Sequence, residues 1–293
     1  NAKKLIIATG TYEKIIPFDG WTTPGVIGLA ASTILLKSHQ TIPAKKMVLA
    51  GNGPLLILVA YYVLKFGGKI DAIIDTSSKF DWITSMFSLI FNPKNFIQGI
   101  SWITKIIFSR VPIFSNSLVT KVNKINDGLL VKIKNIKSNK ITELKTEVLA
   151  VGHGLTPSTD ISRLLKVKHS YNELKGGWIP KLDKFFRSTM NGLYIVGDGS
   201  GISGAIAAEE KGELAAFAIL KDSKIITDKE FKIYTDKIIK KLNNYEIFAK
   251  GIAKLNSTPK SLIDNINDYT VICRCEDITK KDVIGAVEKG AKN

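Results

Sequence analysis

Short apolar runs that end in glycine recur along the chain, and each is followed by a segment with a different spacing of apolar positions. Three such runs are LIIATG, VLAGNG and LYIVGDG, whose glycine-bearing ends lie at residues 8–10, 51–53 and 197–199. Buried strands that stop at glycine and lead into helices are typical of α/β proteins with parallel sheets. We therefore predict an α/β fold, and three glycine-bearing strand ends indicate two nucleotide sites rather than one.

One β-turn-α-turn-β unit is clearly visible in this pattern. Residues 46–50 predict a short apolar strand, GNGPLL follows, and a helix continues to about Phe66. Gly67 and Gly68 end that helix as a C-cap does, and residues 69–75 predict a second strand ending on Asp75. The unit covers about 30 residues, the usual size for this motif.

Two apolar regions raise the question of a membrane span. Residues 54–66 are very apolar, but a membrane-spanning helix needs about 20 residues and this stretch is shorter. Residues 81–108 hold two stretches with amphipathic spacing, separated by NPKN at positions 92–95. We predict a helical hairpin over residues 81–108 and no transmembrane span.

Composition and charge narrow the class of protein. The 293 residues are 45% hydrophobic and 23% charged, which is ordinary for a globular chain large enough for two domains. The net charge is +16, but the lysines are scattered and form no arginine-rich or aromatic-interleaved stripe. We interpret this charge as solvated surface and predict no nucleic-acid partner. Two cysteines are too few for a disulfide framework, which favours a reducing, cytoplasmic compartment.

The GNGPLL segment has the chemistry of a dinucleotide site. Gly51 permits the tight turn after the strand, and Gly53 lets the backbone approach a pyrophosphate at the following helix N-terminus. Asp75, at the end of the next strand, could accept a ribose 2′-hydroxyl, which favours NAD over NADP. Leu56 stands where a third glycine would allow close helix–strand packing. The alternative is a nucleotide-type fold that binds nothing at this position.

The GDG segment delivers a carboxylate to a helix N-terminus. Gly197 and Asp198 follow an apolar strand and precede a long helix rich in small residues. A carboxylate at that point can hold a sugar-like polyol, and the helix dipole faces any negative charge that develops there. By itself, GDG is also compatible with a simple turn.

The only two cysteines, Cys273 and Cys275, are one residue apart near the end of the sequence. Two thiolates in this spacing point the same way from an extended segment and can bind adjacent points of a metal or cluster. Zinc sites more often use C-x₂-C, and a four-thiolate iron–sulfur site needs two further cysteines. Two ordinary buried cysteines are the alternative. No cysteine precedes Cys273, so this sequence contains no redox pair for a disulfide reductase.

The segments LIIATGTYEKIIPFDGWTTPGV, VLAGNGPLL, LAVGHGLTPSTD, LYIVGDGSGISGA and VICRCEDIT occur in this order along the chain. Together they resemble the FAD-dependent, pyridine-nucleotide-type oxidoreductase subunits of heteromeric amine and amino-acid dehydrogenases. That family includes subunits of dye-linked proline dehydrogenase, opine oxidase and hydrogen cyanide synthase, and part of the sarcosine oxidase α subunit. The resemblance implies two Rossmann-like domains of the glutathione-reductase type, followed by the start of a small helical [2Fe–2S] domain.

The resemblance also implies which residues contact the cofactors. FAD would be contacted by four residues, namely Thr9, Gly10, Gly197 and Asp198. A second nucleotide, NAD(P) or another adenine nucleotide, would be faced by Gly51, Gly53 and Asp75. Cys273 and Cys275 match the first pair of a cluster-binding set in a domain like the bacterioferritin-associated ferredoxin, whose second pair would lie beyond residue 293. A glycine-rich FAD motif would lie before residue 1, so we expect a fragment lacking both ends.

The resemblance implies that the chain divides into five segments. These are the first part of an FAD domain (1–41), a nucleotide-binding domain that contains the hairpin (42–143), the return part of the FAD domain (144–222), a helical linker (223–268) and the truncated start of a cluster domain (269–293). We find no residue with the character of a catalytic base, which agrees with amine oxidation on a partner subunit with its own flavin. His153, on the returning strand, is either structural or close to the flavin ring.

Three functions compete at this stage. The first is an electron-transfer subunit that passes electrons between FAD and a [2Fe–2S] cluster, with a flavin-containing partner and an unidentified electron acceptor. The second is a self-contained NAD(P)H-dependent flavin reductase. The third is a non-enzymatic basic protein that binds nucleic acid or a membrane. We favour the first function, and charge alone supports the third. We expect a cytoplasmic location, with membrane association through a partner as an alternative.

Overall fold

The structure, a computed structural model, describes residues 2–291. Its strands, in chain order, are β1 (Leu5–Ile7), β2 (Thr11–Glu13), β3 (Val26–Gly28), β4 (Lys46–Gly51), β5 (Lys69–Asp75), β6 (Ile113–Ser115), β7 (Ser117–Ile125), β8 (Gly128–Asn135), β9 (Ile141–Thr146), β10 (Val148–Gly152), β11 (Leu155–Pro157), β12 (His169–Asn172), β13 (Gly177–Pro180), β14 (Leu193–Ile195), β15 (Val271–Cys273) and β16 (Ile278–Thr279). Its α-helices are α1 (Leu29–Ser38), α2 (Gly53–Lys65), α3 (Lys79–Leu89), α4 (Pro93–Phe108), α5 (Asp160–Leu164), α6 (Ala205–Asp222), α7 (Asp228–Leu255), α8 (Lys260–Asp264) and α9 (Lys280–Glu288). Short 3₁₀-helices cover Glu173–Lys175 and Gly197–Ser200.

The described chain forms two compact units, and each is assembled from separate stretches of sequence. The first unit comprises residues 2–12, 83–97 and 155–257. The second unit comprises residues 13–82, 98–154 and 258–291. The five-segment division expected from the sequence is a finer description than these two units, and it stays a prediction.

The second unit is built on a parallel sheet of five strands in the order β3-β10-β4-β5-β6. Successive side chains of a strand point to opposite faces, and both faces of this sheet are covered. On β4, Met47 and Leu49 join the core under the helices, whereas Val48 and Ala50 join the core on the other face. Burial on both sides explains why these strands are continuous apolar runs in the sequence.

The two faces of the parallel sheet have different covers. One face packs against α1, α2 and α4, where Leu56 and Ile106 are among the fully buried side chains. The other face packs against the antiparallel sheet β7-β8-β9. In β8, Leu129, Val131 and Ile133 are buried and alternate with more exposed residues, as expected for a sheet with one solvated face.

The first unit contains a parallel pair of short strands and two long helices. β1 pairs with β14 in parallel, with Ile7 opposite Ile195. Helix α6 packs on α7, and its buried side chains include Leu214 and Ala218. Helix α7 begins with a capping box, in which Thr227 and Glu230 satisfy each other's backbone N–H groups.

The parallel sheet and its covering helices confirm the predicted α/β class. Two helices, α3 and α4, lie where the sequence predicts a hairpin, and the turn between them contains Asn92. None of the helices within residues 2–291 combines the length and apolar character needed to cross a bilayer.

Candidate functional site

Two of the glycine-bearing strand ends lie side by side in the first unit. Because β1 and β14 are parallel neighbours, residues 8–10 and 197–199 leave the pair at the same edge. A Cβ atom on Gly199 would lie 3.4 Å from Thr9 Oγ1 and 3.6 Å from the Gly10 backbone nitrogen. Gly10 and Gly197 have φ values of +68° and +67°, in the left-handed region that favours glycine.

Ser158 fixes the first of these strand ends. Its backbone N–H donates to the carbonyl oxygen of Gly10 at 2.9 Å, and Thr9 Oγ1 donates to the carbonyl oxygen of Ser158 at 2.9 Å. The Thr9 side chain is therefore committed to the backbone, so a ligand at this point would meet mainly the backbone of Gly10.

Asp198 lies in the turn before α6 and has one oxygen engaged. Its Oδ1 accepts hydrogen bonds from the backbone N–H groups of Ser203 at 2.9 Å and Gly204 at 3.0 Å. Within residues 2–291, no group donates a hydrogen bond to Oδ2. A Cβ atom placed on Gly10 or Gly204 would meet nothing within 4 Å. The turn therefore offers a free carboxylate oxygen beside open backbone, which fits a polyhydroxylated ligand such as the ribityl chain of FAD.

Lys211 is a residue of this site that the sequence analysis missed. Its side chain is 2% exposed, and Nζ donates to the carbonyl oxygens of Gly201 at 2.6 Å and Gly197 at 3.3 Å. Burial lowers the pKa of Lys211 to about 8, although the charge of Asp198 acts in the opposite direction. A signal was present in the sequence, because Lys211 shares a helical face with Ala207 and Leu214, both of which are buried.

The third glycine-bearing strand end begins the nucleotide-type motif of the second unit. Gly51 approaches the end of β10 so closely that a Cβ atom would lie 1.8 Å from the carbonyl oxygen of Gly152. Gly53, with φ +70°, starts α2, and Pro54 occupies the first turn of that helix. The two predicted glycines thus lie at a helix N-terminus at the carboxyl edge of a parallel sheet, where α/β proteins bind phosphates.

Asp75, predicted to accept a ribose hydroxyl, has hydrogen-bond partners within the protein. Its Oδ1 accepts from the backbone N–H of Ser77 at 2.8 Å, and its Oδ2 accepts from Trp82 Nε1 at 2.8 Å. The residue is 5% exposed, and burial raises its pKa, against the effect of the hydrogen bonds from Trp82 and Ser77. A ribose would have to share or displace these partners. Leu56, at the third glycine position, is fully buried under the sheet.

Glu13 is a half-buried residue that the sequence analysis missed. Its Oε1 accepts from the backbone N–H of Ala30 at 2.7 Å in the first turn of α1, and burial raises its pKa against the effect of that bond. Cβ atoms on Gly28 and Gly152 would lie 2.0 Å and 2.5 Å from its carboxylate oxygens. The N-terminus of α1 thus has a carboxylate beside it, whereas the first turn of α2 contains no acidic residue.

His153 has a structural role in this arrangement. The imidazole is 3% exposed, and its Nδ1 accepts from the backbone N–H of Ile16 at 3.1 Å, so Nε2 carries the proton of the neutral ring. Burial, with a smaller effect from the charge of Lys14, lowers its pKa to about 3. The ring is therefore neutral at physiological pH.

The two cysteines lie close together at the surface of the second unit. Their Sγ atoms are 3.2 Å apart, and Trp21 Nε1 donates to the carbonyl oxygen of Val271 at 2.6 Å, two residues before Cys273. Interactions with Cys275 and with the backbone N–H of Glu276 lower the pKa of Cys273, whereas the Cys273 thiol raises that of Cys275. Nowhere in residues 2–291 do three or more His, Cys, Asp or Glu side chains form a metal-binding group. The chain thus supplies one thiolate pair.

Curated proteins with similar sequences are subunits of multi-subunit oxidoreductases. The chain is 27% identical to the hydrogen cyanide synthase subunit HcnB of Pseudomonas aeruginosa, over 99% of this chain and 63% of that protein. It is 29% identical to an opine oxidase subunit of Agrobacterium tumefaciens, over 98% of this chain and 57% of that protein. The chain therefore spans only about three fifths of the length of these relatives.

Solved structures confirm the fold class. L-proline dehydrogenase from P. horikoshii superimposes with a TM-score of 0.63 at 19% identity, covering 99% of this chain and 46% of that chain. T. acidophilum thioredoxin reductase superimposes with a TM-score of 0.57 at 21% identity, covering 76% of this chain and 66% of that chain. The predicted Rossmann-like oxidoreductase fold is thus confirmed.

The family match covers most of the chain and, with it, every predicted nucleotide-site residue. A family model described as pyridine nucleotide-disulphide oxidoreductase matches residues 1–218. These residues contain no cysteine, so the match reflects the nucleotide-binding framework and not a redox disulfide. The chain belongs to the pyridine nucleotide-disulphide oxidoreductase family.

Proposed function

We propose that this chain is the FAD-binding, electron-transfer subunit of a heteromeric oxidoreductase that acts on CH–NH or CH–NH₂ groups. The observation that carries the proposal is the pairing of two strand ends, in which Gly10 lies beside the Gly197–Gly199 turn and Asp198 keeps one carboxylate oxygen free. The substrate class is supported by relatives named as subunits of opine oxidase and hydrogen cyanide synthase. A flavin-containing partner subunit would then oxidise the amine or amino acid.

The residues of the first unit would serve FAD in distinct ways. Asp198 Oδ2 would accept a hydrogen bond from a ribityl hydroxyl, and the N-terminus of α6 would stabilise negative charge. The open backbone at Gly10 and Gly204 would allow close approach of the cofactor. FAD, when bound, supplies two-electron oxidation and one-electron delivery. These residues bind and orient the cofactor, and none of them has the character of a catalytic base.

The cysteine pair would bind the iron–sulfur cluster that accepts electrons from FAD. Cys273 and Cys275 would supply two of the four thiolates that a [2Fe–2S] cluster needs. Trp21 would keep the segment in place through its hydrogen bond to Val271. Free thiolates and an iron–sulfur cluster both favour a reducing, cytoplasmic compartment.

A self-contained NAD(P)H-dependent flavin reductase is the second candidate. Gly51 and Gly53 at the N-terminus of α2 favour it, because they retain the geometry of a pyrophosphate site. The engagement of Asp75 by Ser77 and Trp82 disfavours it, because the ribose-binding carboxylate is already satisfied. NAD(P) or another adenine nucleotide in this second site is part of that alternative.

Anaerobic spectroscopy on the purified, FAD-loaded protein separates the two candidates. The electron-transfer subunit should retain oxidised flavin absorbance after addition of NADH, and dithionite should produce a low-temperature paramagnetic cluster signal. The double variant Cys273→Ser/Cys275→Ser should lose that signal and keep its flavin, whereas the matched control Glu276→Gln should keep both. Rapid bleaching by NADH without a cluster signal would establish the flavin reductase instead.

A further inference from the structure

Helix α3 (Lys79–Leu89) presents its small and polar residues to the protein where it packs on α7. Ser85 is 1% exposed, and a Cβ atom on Gly251 of α7 would lie 2.7 Å from Ser88 Cβ. Lys254 Nζ, also on α7, donates to Thr84 Oγ1 at 2.8 Å. A helix on a globular surface ordinarily buries its apolar stripe. In α3 the face that packs on α7 is instead mainly small and polar.

Leu89 and Phe96 of the same segment are partly buried, and its six other large apolar residues are exposed. We call them the apolar tip, and they are Ile83, Met86, Phe87, Ile90, Phe91 and Ile97. The first four follow a spacing of three and four residues along the chain, which places them on one helical face. Phe87 is 73% exposed and Phe91 is 57% exposed. An exposed cluster of large apolar side chains marks a surface that binds something.

The charges around the apolar tip indicate what it binds. Residues 83–97 contain no Asp or Glu and one lysine, Lys94, and the acid-free stretch continues to residue 126. On the α7 side, Lys250 and Lys254 flank Gly251, and the whole chain carries a net charge of +16. Apolar side chains bordered by ammonium groups match a surface that combines hydrocarbon with negative charge.

We propose that the apolar tip inserts into the interfacial layer of an anionic membrane. The apolar side chains would enter the boundary between headgroups and acyl chains, and Lys94 and Lys250 would face lipid phosphates. Helix α3 has 11 residues, so the segment lies in the surface of the bilayer and does not cross it. A protein partner would need an apolar groove bordered by carboxylates to match the apolar tip. An anionic lipid surface supplies hydrocarbon and negative charge at every point.

Vesicle flotation tests the proposal on the purified protein. Wild-type protein should float with phosphatidylcholine vesicles that contain roughly one third phosphatidylglycerol, and it should remain behind with pure phosphatidylcholine at moderate salt. The double variant Phe87→Ser/Phe91→Ser should bind at least about tenfold more weakly, because two aromatic side chains no longer enter the bilayer. Leu164→Ser/Ile225→Ser, which replaces two similarly exposed apolar residues elsewhere, should bind as the wild type does.

Thermal melting and bound FAD verify that the variants are folded, and both should be unchanged because the replaced side chains are exposed. A Lys94→Gln variant should reduce the salt dependence of binding and leave the melting temperature unchanged. Equal flotation of the two double variants would overturn the proposal. A second pair of results would also overturn it. In that case the wild type does not bind vesicles, and Phe87→Ser/Phe91→Ser reduces the mass of an oligomer or the recovery of a partner subunit. The apolar tip would then be a protein interface.

Discussion

The ammonium nitrogen of Lys211 lies 2.6 Å from the carbonyl oxygen of Gly201 and 3.3 Å from that of Gly197, and these two carbonyls flank Asp198. One buried cation on α6 thus joins both sides of the turn that precedes its own helix. The Gly197 carbonyl oxygen also accepts from Ser200 Oγ at 2.7 Å, and that of Gly201 accepts from Ser203 Oγ at 3.4 Å, so Lys211 adds a charged donor to both. We infer that Lys211 is a positioning residue for Asp198, since it acts on the turn and not on a ligand.

Replacement of Lys211 by methionine should weaken FAD binding more than it alters the fold. The variant keeps the length of the apolar stem and removes the donor to Gly197 and Gly201, so the turn loses about 1–3 kcal/mol of stabilisation. The dissociation constant for FAD, measured by fluorescence titration, should rise at least about fivefold. Lys229→Met, an exposed lysine on α7, is the control and should bind FAD normally.

Lys211 should also leave a mark on the pH dependence of stability. Its pKa is about 8 in the folded protein, below the ordinary 10.5, so the unfolded chain binds more protons between these two values. The free energy of unfolding of the wild type should therefore gain a rising contribution from pH 8 to pH 10.5, which Lys211→Met lacks. Identical slopes in urea titrations of both proteins would contradict a buried, titrating amine.

Trp82 should compete with a nucleotide for Asp75. Replacement by phenylalanine removes the donor to Asp75 Oδ2 and frees one carboxylate oxygen for a ribose hydroxyl. We expect Trp82→Phe to bind NADH about fivefold more tightly than the wild type, measured by calorimetry. Trp102→Phe is the matched control, and Trp82→Phe/Asp75→Asn should cancel the gain. An unchanged affinity in Trp82→Phe would mean that the indole does not limit access to this carboxylate.

His153 should control the acid sensitivity of the second unit. Its pKa is about 3 in the folded protein against an ordinary 6.5, so on acidification the unfolded chain takes up a proton that the folded one does not. The wild type should lose about 1.4 kcal/mol of stability per pH unit below pH 6.5 from this residue alone. In His153→Asn, the amide oxygen replaces Nδ1 as acceptor for Ile16 without titrating.

The effect of His153 is seen in the change of the unfolding free energy with pH, and not in its absolute value at one pH. Urea unfolding at pH 7 and pH 5 should differ by about 2 kcal/mol less in His153→Asn than in the wild type. His39→Asn, which replaces an exposed histidine, should show the wild-type difference. A wild-type difference retained in His153→Asn would assign the acid sensitivity to other groups.

The sequence pattern could predict the parts of this structure that depend on local chemistry. A glycine after an apolar strand is a local feature, so the three strand ends were found at their residues, and so were the helices after the second and third, whereas the first leads into strand β2. Burial of a charged side chain is decided by what packs against it from distant parts of the chain. Lys211 and Glu13 were missed for that reason, although Lys211 lies beside the recognised turn at residues 197–199.

Asp75 shows a further limit of prediction from sequence. Its place at the end of β5 was found correctly, because the strand pattern fixes it. Its hydrogen-bond partners were not found, since both Ser77 and a ligand hydroxyl are adequate donors for the same carboxylate. The partner of Oδ2 depends on the direction of α3, which brings the indole of Trp82 to this oxygen. The role expected for Asp75 toward a ribose therefore stays a prediction.

Gly51 provides the sharpest test of the close approach between β4 and β10. A Cβ atom there would lie 1.8 Å from the carbonyl oxygen of Gly152, which is backbone and cannot rotate away, and φ is +146°. Gly51→Ala should therefore lose more than about 3 kcal/mol of stability in urea unfolding. Gly212→Ala is the control, because a Cβ atom there meets nothing within 4 Å and α6 should gain about 0.5–1 kcal/mol. A Gly51→Ala protein as stable as the wild type would show that these two strand ends are further apart.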